Sequence, residues 1–478
     1  MIIQESGVKF KDIEQKIYEQ VCELGRELVK RIMLDMDWQV MESRDKEKYR
    51  HKGMAKSVIK TVMGEVEYER RVYISKEEIE GKVCHYLLDE EMGIDEHIGK
   101  MSENLSEKII ERACEEAYRK AAENISGLSG QSISAMGVWK VVQEMGKRVG
   151  IEEKAAALRA KRNEGLGEVE TLVLFEENDG IYIALQGESR KKTGEHGELK
   201  VGIAYSGWEQ TGRKRYNVTD KVAYAGMESS AQFHSGKEGV IAGYYNVDEI
   251  EQRVINADGA SWARGDTEDE TRHYQLDAYH RNQALKRNVT DEEKRDELRE
   301  LLYDNEPEKL LKTIAGYVEE TANDEAKSTE NENYAKLLTY YTNNKDGLIP
   351  YNKRDDLKLP EPKHGIVYRN LGVMESNIFS IIGSRMKGRR AVWSTSGANH
   401  LAKLLALKST NRLDYMLNII HRSYVADDFA AQINTGLSAA KVPTTVGRGW
   451  NFFLQGSIPN SMTWLRDFCQ IKGLDHLY

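Results

Sequence analysis

Three carboxylates in this sequence stand where they could hold a cation. Asp258 lies in INADGASW, at the point where an apolar strand pattern stops, and in open α/β sheets ligands gather beyond the carboxyl ends of strands. Asp179 lies in FEENDGIYIALQ. Asn-Asp-Gly between apolar runs is also a hairpin-turn signature, and the local pattern alone favours the turn. Glu375 lies in GVMESNIFSIIGSRM; at 100° per residue a helix there sets it beside Phe379, Ile382 and Met386, on an apolar side. A glutamate so placed needs a partner. Three oxygen donors without His or Cys suit Mg²⁺ or Mn²⁺. Two such ions about 4 Å apart activate a water or a 3′-hydroxyl and steady the leaving oxygen of a phosphodiester. Glu176 and Glu177 are the alternates should the register of the first strand differ.

Charge adds a partner. Lys and Arg number 69 against 78 Asp and Glu, a net charge of −9, which by itself counts against nucleic acid. The distribution is uneven. After Glu375 come Arg385, Lys387, Arg389 and Arg390, then Lys403, Lys408, Arg412 and Arg422, with Asp414 the one acid from Ser376 to Val425. The stretch from Thr290 to Asn333 is dense in Asp and Glu. Segregation of this kind suggests a basic face for a DNA backbone and an acidic face for solvent. Trp262 and Trp393 are candidates for stacking on an unpaired base, against the commoner role of Trp in a core.

The elements that must position these residues are read from periodicity. Residues 8–45 carry Phe10, Ile13, Ile17, Val21 and Leu24 at helical spacing. SVIKTVMGEVEYERRVYIS reads as a hairpin, and KVCHYLLDEEMGI offers a further short strand. Residues 102–147 turn helical, broken at GLSGQSIS, with Ser134 as a cap. Helix, polar turn, helix is consistent with a helix-turn-helix in the major groove, where Lys140 and Lys147 would meet phosphates, and equally with plain helix packing. A charged helix around 152–168 leads into a β-rich run, then helix SSAQFHSGKEGVIAGYYN, strand QRVINADGASW and strand-to-helix HYQLDAYHRNQAL. Strands in a meander followed by strands alternating with helices indicate a mixed α/β sheet.

Cys22, Cys84, Cys114 and Cys469 form no CxxC pair, which argues for isolated reduced thiols rather than a zinc ribbon or disulfide framework. The absence of an 18-residue apolar run and of a signal-peptide pattern at the start leads to the expectation of a cytosolic, nucleoid-associated protein.

The segments LFEENDGIYIALQ, INADGASW, LDAYHRNQAL and GVMESNIFSIIGSRMKGRRAVWSTSGANHLAKL, with GEVEYERRVY, HYLLDEEMGI and AYRKAAENIS before them, resemble the ISLre-type DDE transposases of bacterial insertion sequences. Mutator-type enzymes are more distantly similar. The resemblance covers nearly the whole chain. It implies an α/β, RNase H-like catalytic core with Asp179, Asp258 and Glu375 as the metal-binding triad for two Mg²⁺ or Mn²⁺ ions, and so sets aside the turn reading of Asp179. Asp277-Ala278-Tyr279-His280 resembles the Asp/Cys-x-x-His signature of the Mutator-like relatives. His280 would contact the scissile phosphate, orient a carboxylate or tie strand to helix, and Asp277 is read as structural. The 117 residues from Asp258 to Glu375 imply a core interrupted by an all-helical insertion.

The expected organisation is a helix and hairpin over 1–100, a helical DNA-binding region over 101–165, the first part of the core over 166–289, the insertion over 290–355, and the second part with a helical tail over 356–478. The expected activity is cleavage at element ends and strand transfer into target DNA by a homodimer or larger assembly. The alternatives are a transposase-derived regulatory DNA-binding protein without cleavage, and a nuclease on the same fold.

Overall fold

The computed structural model describes residues 9–76, 84–94, 98–265, 269–388 and 390–420. The expected helical tail, Cys469, Arg389 and Arg422 lie outside them. Among the described residues, no helix is long and apolar enough to cross a membrane.

The N-terminal helix α1 (Phe10–Ser43) runs onto a hairpin of β1 (Tyr49–Thr61) and β2 (Gly64–Ser75), whose alternation fixes an antiparallel register from Tyr49↔Ser75 to Thr61↔Gly64. The short β3 (Cys84–His85) and α2 (Leu87–Glu91) complete this unit. Its own small core joins Met33 of α1, Ile59, Val66 and Tyr68 of the hairpin, and Leu88. Three helices follow, α3 (Glu103–Glu115), α4 (Tyr118–Ser129) and α5 (Ala135–Lys161). Ser102 and Ser134 accept backbone N–H groups at the starts of α3 and α5. The charged segment expected as a separate bridge is the second half of α5. That helix does not stand apart: Val138, Val141, Val142, Met145 and Val149 are buried in the main core.

The central sheet is built from β4 (Val173–Ala184), β5 (His196–Tyr205), β8 (Val222–Gly226), β9 (Gln252–Ala257) and β10 (Arg272–Leu276), in the order β10-β9-β4-β5-β8. β4, β9 and β10 are parallel; β5 is antiparallel to β4 and to β8. Between β4 and β5 sits α6 (Gly187–Thr193), and between β5 and β8 the hairpin β6 (Gly207–Gly212) and β7 (Arg215–Thr219), to which β11 (Ile366–Val367) adds a third strand. Helix α7 (Ser230–Ala242) connects β8 to β9.

Alternation along β4 sends Leu174 to one side, with Ile241 and Tyr245, and Val173 and Phe175 to the other, with the helical core. Helices therefore cover both faces, as parallel strands require.

The short α8 (Ser261–Arg264) lies between β9 and β10, and α9 (Ala278–Asn288) leaves β10. The acidic stretch then forms α10 (Glu292–Tyr303), α11 (Pro307–Thr321) and α12 (Ser328–Asn343). These pack through Leu298, Leu310, Ile314, Leu337 and Tyr341 into a second core shared with Tyr274 and Leu276 of β10 and Leu285 of α9. The segment of Glu375 comprises α13 (Met374–Ile378), a π-helical turn Phe379–Gly383 and α14 (Ser384–Met386), followed by α15 (Thr395–Ser409). The fold is mixed α/β with several sheets.

Candidate metal centre

The sheet itself aligns the polar side chains. Period-two geometry puts Glu177 and Asp179 on one face of β4. The register pairs Glu177 with Asn256 of β9, and Asn256 with Gln275 of β10. One step on, Asp179, Asp258 and Asp277 follow in the same sense, where β9 and β10 end. β4 continues unbroken past Asp179 to Ala184, so Asn-Asp-Gly is no turn. Asn178 is held inside the sheet instead, donating to the Ala263 carbonyl at 2.8 Å and accepting from Lys237 at 3.1 Å. Gly180 leaves room for the Glu198 carboxylate, which a Cβ there would approach to 2.5 Å.

Each acid has a distinct role in this geometry. Asp277 caps α9: its Oδ1 accepts from the Tyr279 and His280 N–H groups at 2.9 and 3.1 Å, and its Oδ2 accepts from Asn256 at 2.8 Å. Both oxygens are engaged, so Asp277 is structural. The cap sets His280 in the first turn of α9, its Nε2 3.7 Å from Asp179 Oδ2. Asp258 uses Oδ1 for the Ala260 N–H at 2.9 Å, while its carbonyl accepts from Tyr340 of α12 at 2.7 Å. The next residue, Gly259, has φ 96°, and a Cβ on it would meet Asn344 at 2.9 Å. The last insertion helix thus braces the Asp258 turn.

Glu375 does not face a core. It is exposed, as is Phe379, whereas Ile382 and Met386 are buried. The π turn accounts for the difference from the expected single face, because its wider winding shifts the helical phase between Phe379 and Ile382. Glu375 instead joins Asp179 and His280: one ligand atom from each lies within 4.8 Å of the others. Asp258 is absent from that trio but lines the same cleft, with Asn178, Asp179, Tyr279, His280 and Glu375. His280 therefore stands with two of the three carboxylates.

The electrostatics agree with a shared site. Burial, and then the Asp179 charge, push the Asp258 carboxyl above its ordinary range against the pull of the Ala260 N–H. The neighbouring Asp179 carboxylate raises the His280 pKa despite burial.

Glu177, an alternate in the sequence, is fully buried and points at the start of the Glu375 segment. It accepts the backbone N–H groups of Gly372, Val373 and Met374 at 3.1–3.2 Å, the Tyr205 hydroxyl at 2.5 Å and Asn256 at 3.0 Å. Burial raises its pKa, and the hydrogen bonds from Tyr205, Gly372, Val373 and Asn256 oppose that. A carboxylate in such a nest fixes where the helix of Glu375 begins. Glu176, the other alternate, faces the opposite side. Burial alone would raise its pKa; Arg253 and Lys237, at 3.0 and 2.6 Å, overcome that and hold it at about 2. Neither residue is a substitute for Asp179.

The basic residues do not form one face. Arg385 donates to the Ala113 carbonyl at 2.7 Å and lies over the rings of Tyr118 and Trp393. Lys403 is buried between Glu153 and Glu228, Lys408 pairs with Glu115 at 2.8 Å, and Arg412 lies over Tyr244. Lys387, Arg390, Lys140 and Lys147 are exposed. Trp393 is a core residue, donating to the Met386 carbonyl at 2.9 Å, and Trp262 donates to Glu198 at 3.1 Å. A far larger groove, about 880 Å³, runs by Tyr18, Lys108, Glu111 and Lys408. Its charges largely pair with one another, as in Lys108–Glu111 and Lys408–Glu115, so its size does not make it the chemical site.

Sequence reasoning missed Glu177, Asn256 and Tyr340 as the frame of this cleft. The first two carried a signal: Glu-x-Asp, Asn-x-Asp and Gln-x-Asp recur at 177–179, 256–258 and 275–277, the trace of a polar row crossing three strands.

Residues 3–414 match the family model described as uncharacterised protein family UPF0236. A UPF0236 protein of Caldanaerobacter subterraneus subsp. tengcongensis, whose name joins eleven locus designations, is 27% identical over 84% of this chain and 78% of its own length. Another from that organism, named for four loci, is 25% identical over 83% and 77%. The UPF0236 protein in the vanSb 3′ region of Streptococcus gallolyticus is 22% identical over 79% and 77%. By the extent of the family match, the chain belongs to UPF0236.

Proposed function

We propose that this protein is a DNA transposase of a bacterial insertion sequence, of the ISLre type, with an RNase H-like core. The observation that carries the reading is the convergence of Asp179, His280 and Glu375 within 4.8 Å, beside Asp258, at the carboxyl ends of β9 and β10. The sheet order supports the core: three antiparallel strands, then two parallel ones added beside the first. The relatives' names support mobility, since one protein name spanning eleven loci is what a self-copying element leaves in a genome.

The donor set fits Mg²⁺ or Mn²⁺. Asp179, Asp258 and Glu375 put several carboxylates in one cleft against a single imidazole, and the Asp258 carboxyl, raised first by burial and then by the Asp179 charge, is one a cation would return to its ionised form. A divalent cation bound there acts as a Lewis acid on the phosphate and activates the attacking water or 3′-hydroxyl. The chain's own part is to hold the three carboxylates rigid on β4, on the turn after β9 and on α13. His280, biased toward its protonated form by Asp179, presents a donor to a phosphate oxygen or to Asp179 itself. Lys387 and Arg390, exposed beyond α14, and Lys140 and Lys147, on α5, contact the DNA backbone. Two element ends have to be joined, so the working form is a homodimer or larger.

The test uses the full chain and duplexes carrying the sequences that flank its own gene. Wild type is expected to nick these ends and join them to target DNA only with Mn²⁺ or Mg²⁺. Asp258→Ala is expected to bind the ends and do neither. Cation-independent cutting, or strand transfer by Asp258→Ala at the wild-type rate, overturns the reading.

A further inference from the structure

α1 carries two apolar stripes, and the described residues cover only one. At 100° per residue, Val29, Met33 and Met36 share a side, and these pack with the hairpin and Leu88. Phe10, Ile13, Ile17, Val21 and Leu24 lie roughly a third of a turn away, on a second side. Phe10 is 77% exposed, Ile17 59% and Val21 54%. Ile13 and Leu24 between them are partly buried; three large apolar side chains at helical spacing, left open to water by the described residues, mark an interaction surface rather than scattered exposure.

The geometry points to a second copy of this chain as the occupant, its α1 lying antiparallel on the first with the two-fold axis through Ile17. Charge decides both the partner and the direction. Along one edge of the stripe Lys9 and Lys16 come first and Glu23 and Glu27 later, and all four are exposed. Antiparallel helices bring like edges together, so Lys9 of one copy stands between Glu23 and Glu27 of the other, and symmetry repeats the contact. The apolar layers match as well: Phe10 meets Leu24, Ile13 meets Val21, and Ile17 meets itself. A parallel pair instead sets Glu23 and Glu27 against Leu28 and Ile32. The surface lies on the helix and hairpin unit and does not depend on the chemistry of the cleft.

Single-cysteine cross-linking of the full chain, in a background with Cys22, Cys84, Cys114 and Cys469 all replaced by alanine, tests this. On mild oxidation Ile17→Cys is expected to give a disulfide-linked dimer. Ile13→Cys alone and Val21→Cys alone are expected to stay monomeric on denaturing gels, and their mixture to cross-link. Ile17→Glu is expected to halve the mass seen by light scattering at micromolar concentration, with an unchanged thermal transition of the folded monomer, because the residue is already exposed there. A wild-type chain that is monomeric at tens of micromolar, or self-cross-linking of Ile13→Cys, overturns the proposal.

Discussion

Two groups of charged side chains in this molecule invite comparison. Around Lys403, one buried cation holds two carboxylates. Its ammonium lies 2.7 Å from Glu153, 2.8 Å from Glu228 and 3.1 Å from the Tyr224 hydroxyl, all within the packing of α15, α5 and β8. In the cleft, Asp179, Asp258 and Glu375 face one histidine. The first arrangement is organised by its cation, and removing that cation strands two carboxylates. The second is incomplete as it stands, which is how a ligand site differs from a structural one. The same contrast recurs within β4: Glu176 is neutralised by Lys237 and Arg253, and Asp179, three positions on, is left for the cleft.

Breaking the incomplete group should cost activity and leave the fold. Asp258→Ala is expected to lower strand transfer by on the order of 10³-fold or more. Its unfolding free energy should change by no more than about 1.5 kcal/mol, since the lost Ala260 hydrogen bond is offset by removal of a carboxyl raised by burial and by Asp179. Parallel strand-transfer assays and urea melts read both. Large destabilisation by this substitution would make Asp258 a structural residue and erase the contrast.

Breaking the complete group should do the reverse. Lys403→Met leaves Glu153 and Glu228 without their cation in a buried place, a loss of about 3–5 kcal/mol. Activity per folded molecule should be retained below the melting range. An unchanged melt would show that water reaches this cluster and that its pairing is worth little.

Glu177 sits between the two classes, buried and fully answered, yet answered by the backbone that starts the Glu375 helix. Glu177→Gln keeps the shape and exchanges an acceptor for a donor facing N–H groups. About 1–3 kcal/mol of stability should go. The sharper readout is Mn²⁺ affinity by calorimetry, expected to fall roughly 10–100-fold as Glu375 loses its fixed start. Equal Mn²⁺ binding with lowered stability would confine Glu177 to the core.

This intermediate residue also marks where legibility in the sequence ends. Patterns within one element were readable: the long N-terminal helix, the hairpin that follows it, the Ser134 cap and the strand running up to Asp258. Features that depend on a partner far along the chain were not. Glu177 meets Gly372, 195 residues on, and no local rule foresees it. Asn-Asp-Gly carried a real turn propensity, overridden because the Asn178 amide is satisfied inside the sheet and Gly180 clears Glu198. The π turn was invisible because one extra residue of winding leaves composition unchanged while moving Glu375 from an apolar face into the cleft. The basic run looked like a surface because charge was counted by position along the chain, whereas Arg385 and Lys403 are held inward by tertiary partners.

The smallest effect concerns histidines, and the two regions should differ in its sign. His400, on α15, is half-buried with Nδ1 2.9 Å from Gln143. Burial first, and then the Lys403 charge, hold its pKa below the ordinary value. The unfolded chain then takes up its proton earlier as pH falls, so His400 contributes stability at neutral pH that is lost through the window below the ordinary histidine pKa. His280 is the opposite case: with its pKa raised by Asp179, its contribution is complete below the ordinary pKa and disappears as pH rises through the raised one. Urea melts between about pH 5 and 8 separate them. His400→Gln should flatten the loss of stability on the acid side, and His280→Gln should steepen it. If both substitutions moved the slope the same way, His280 would be another packed histidine, and the cleft would lose the feature that sets it apart from the paired interior.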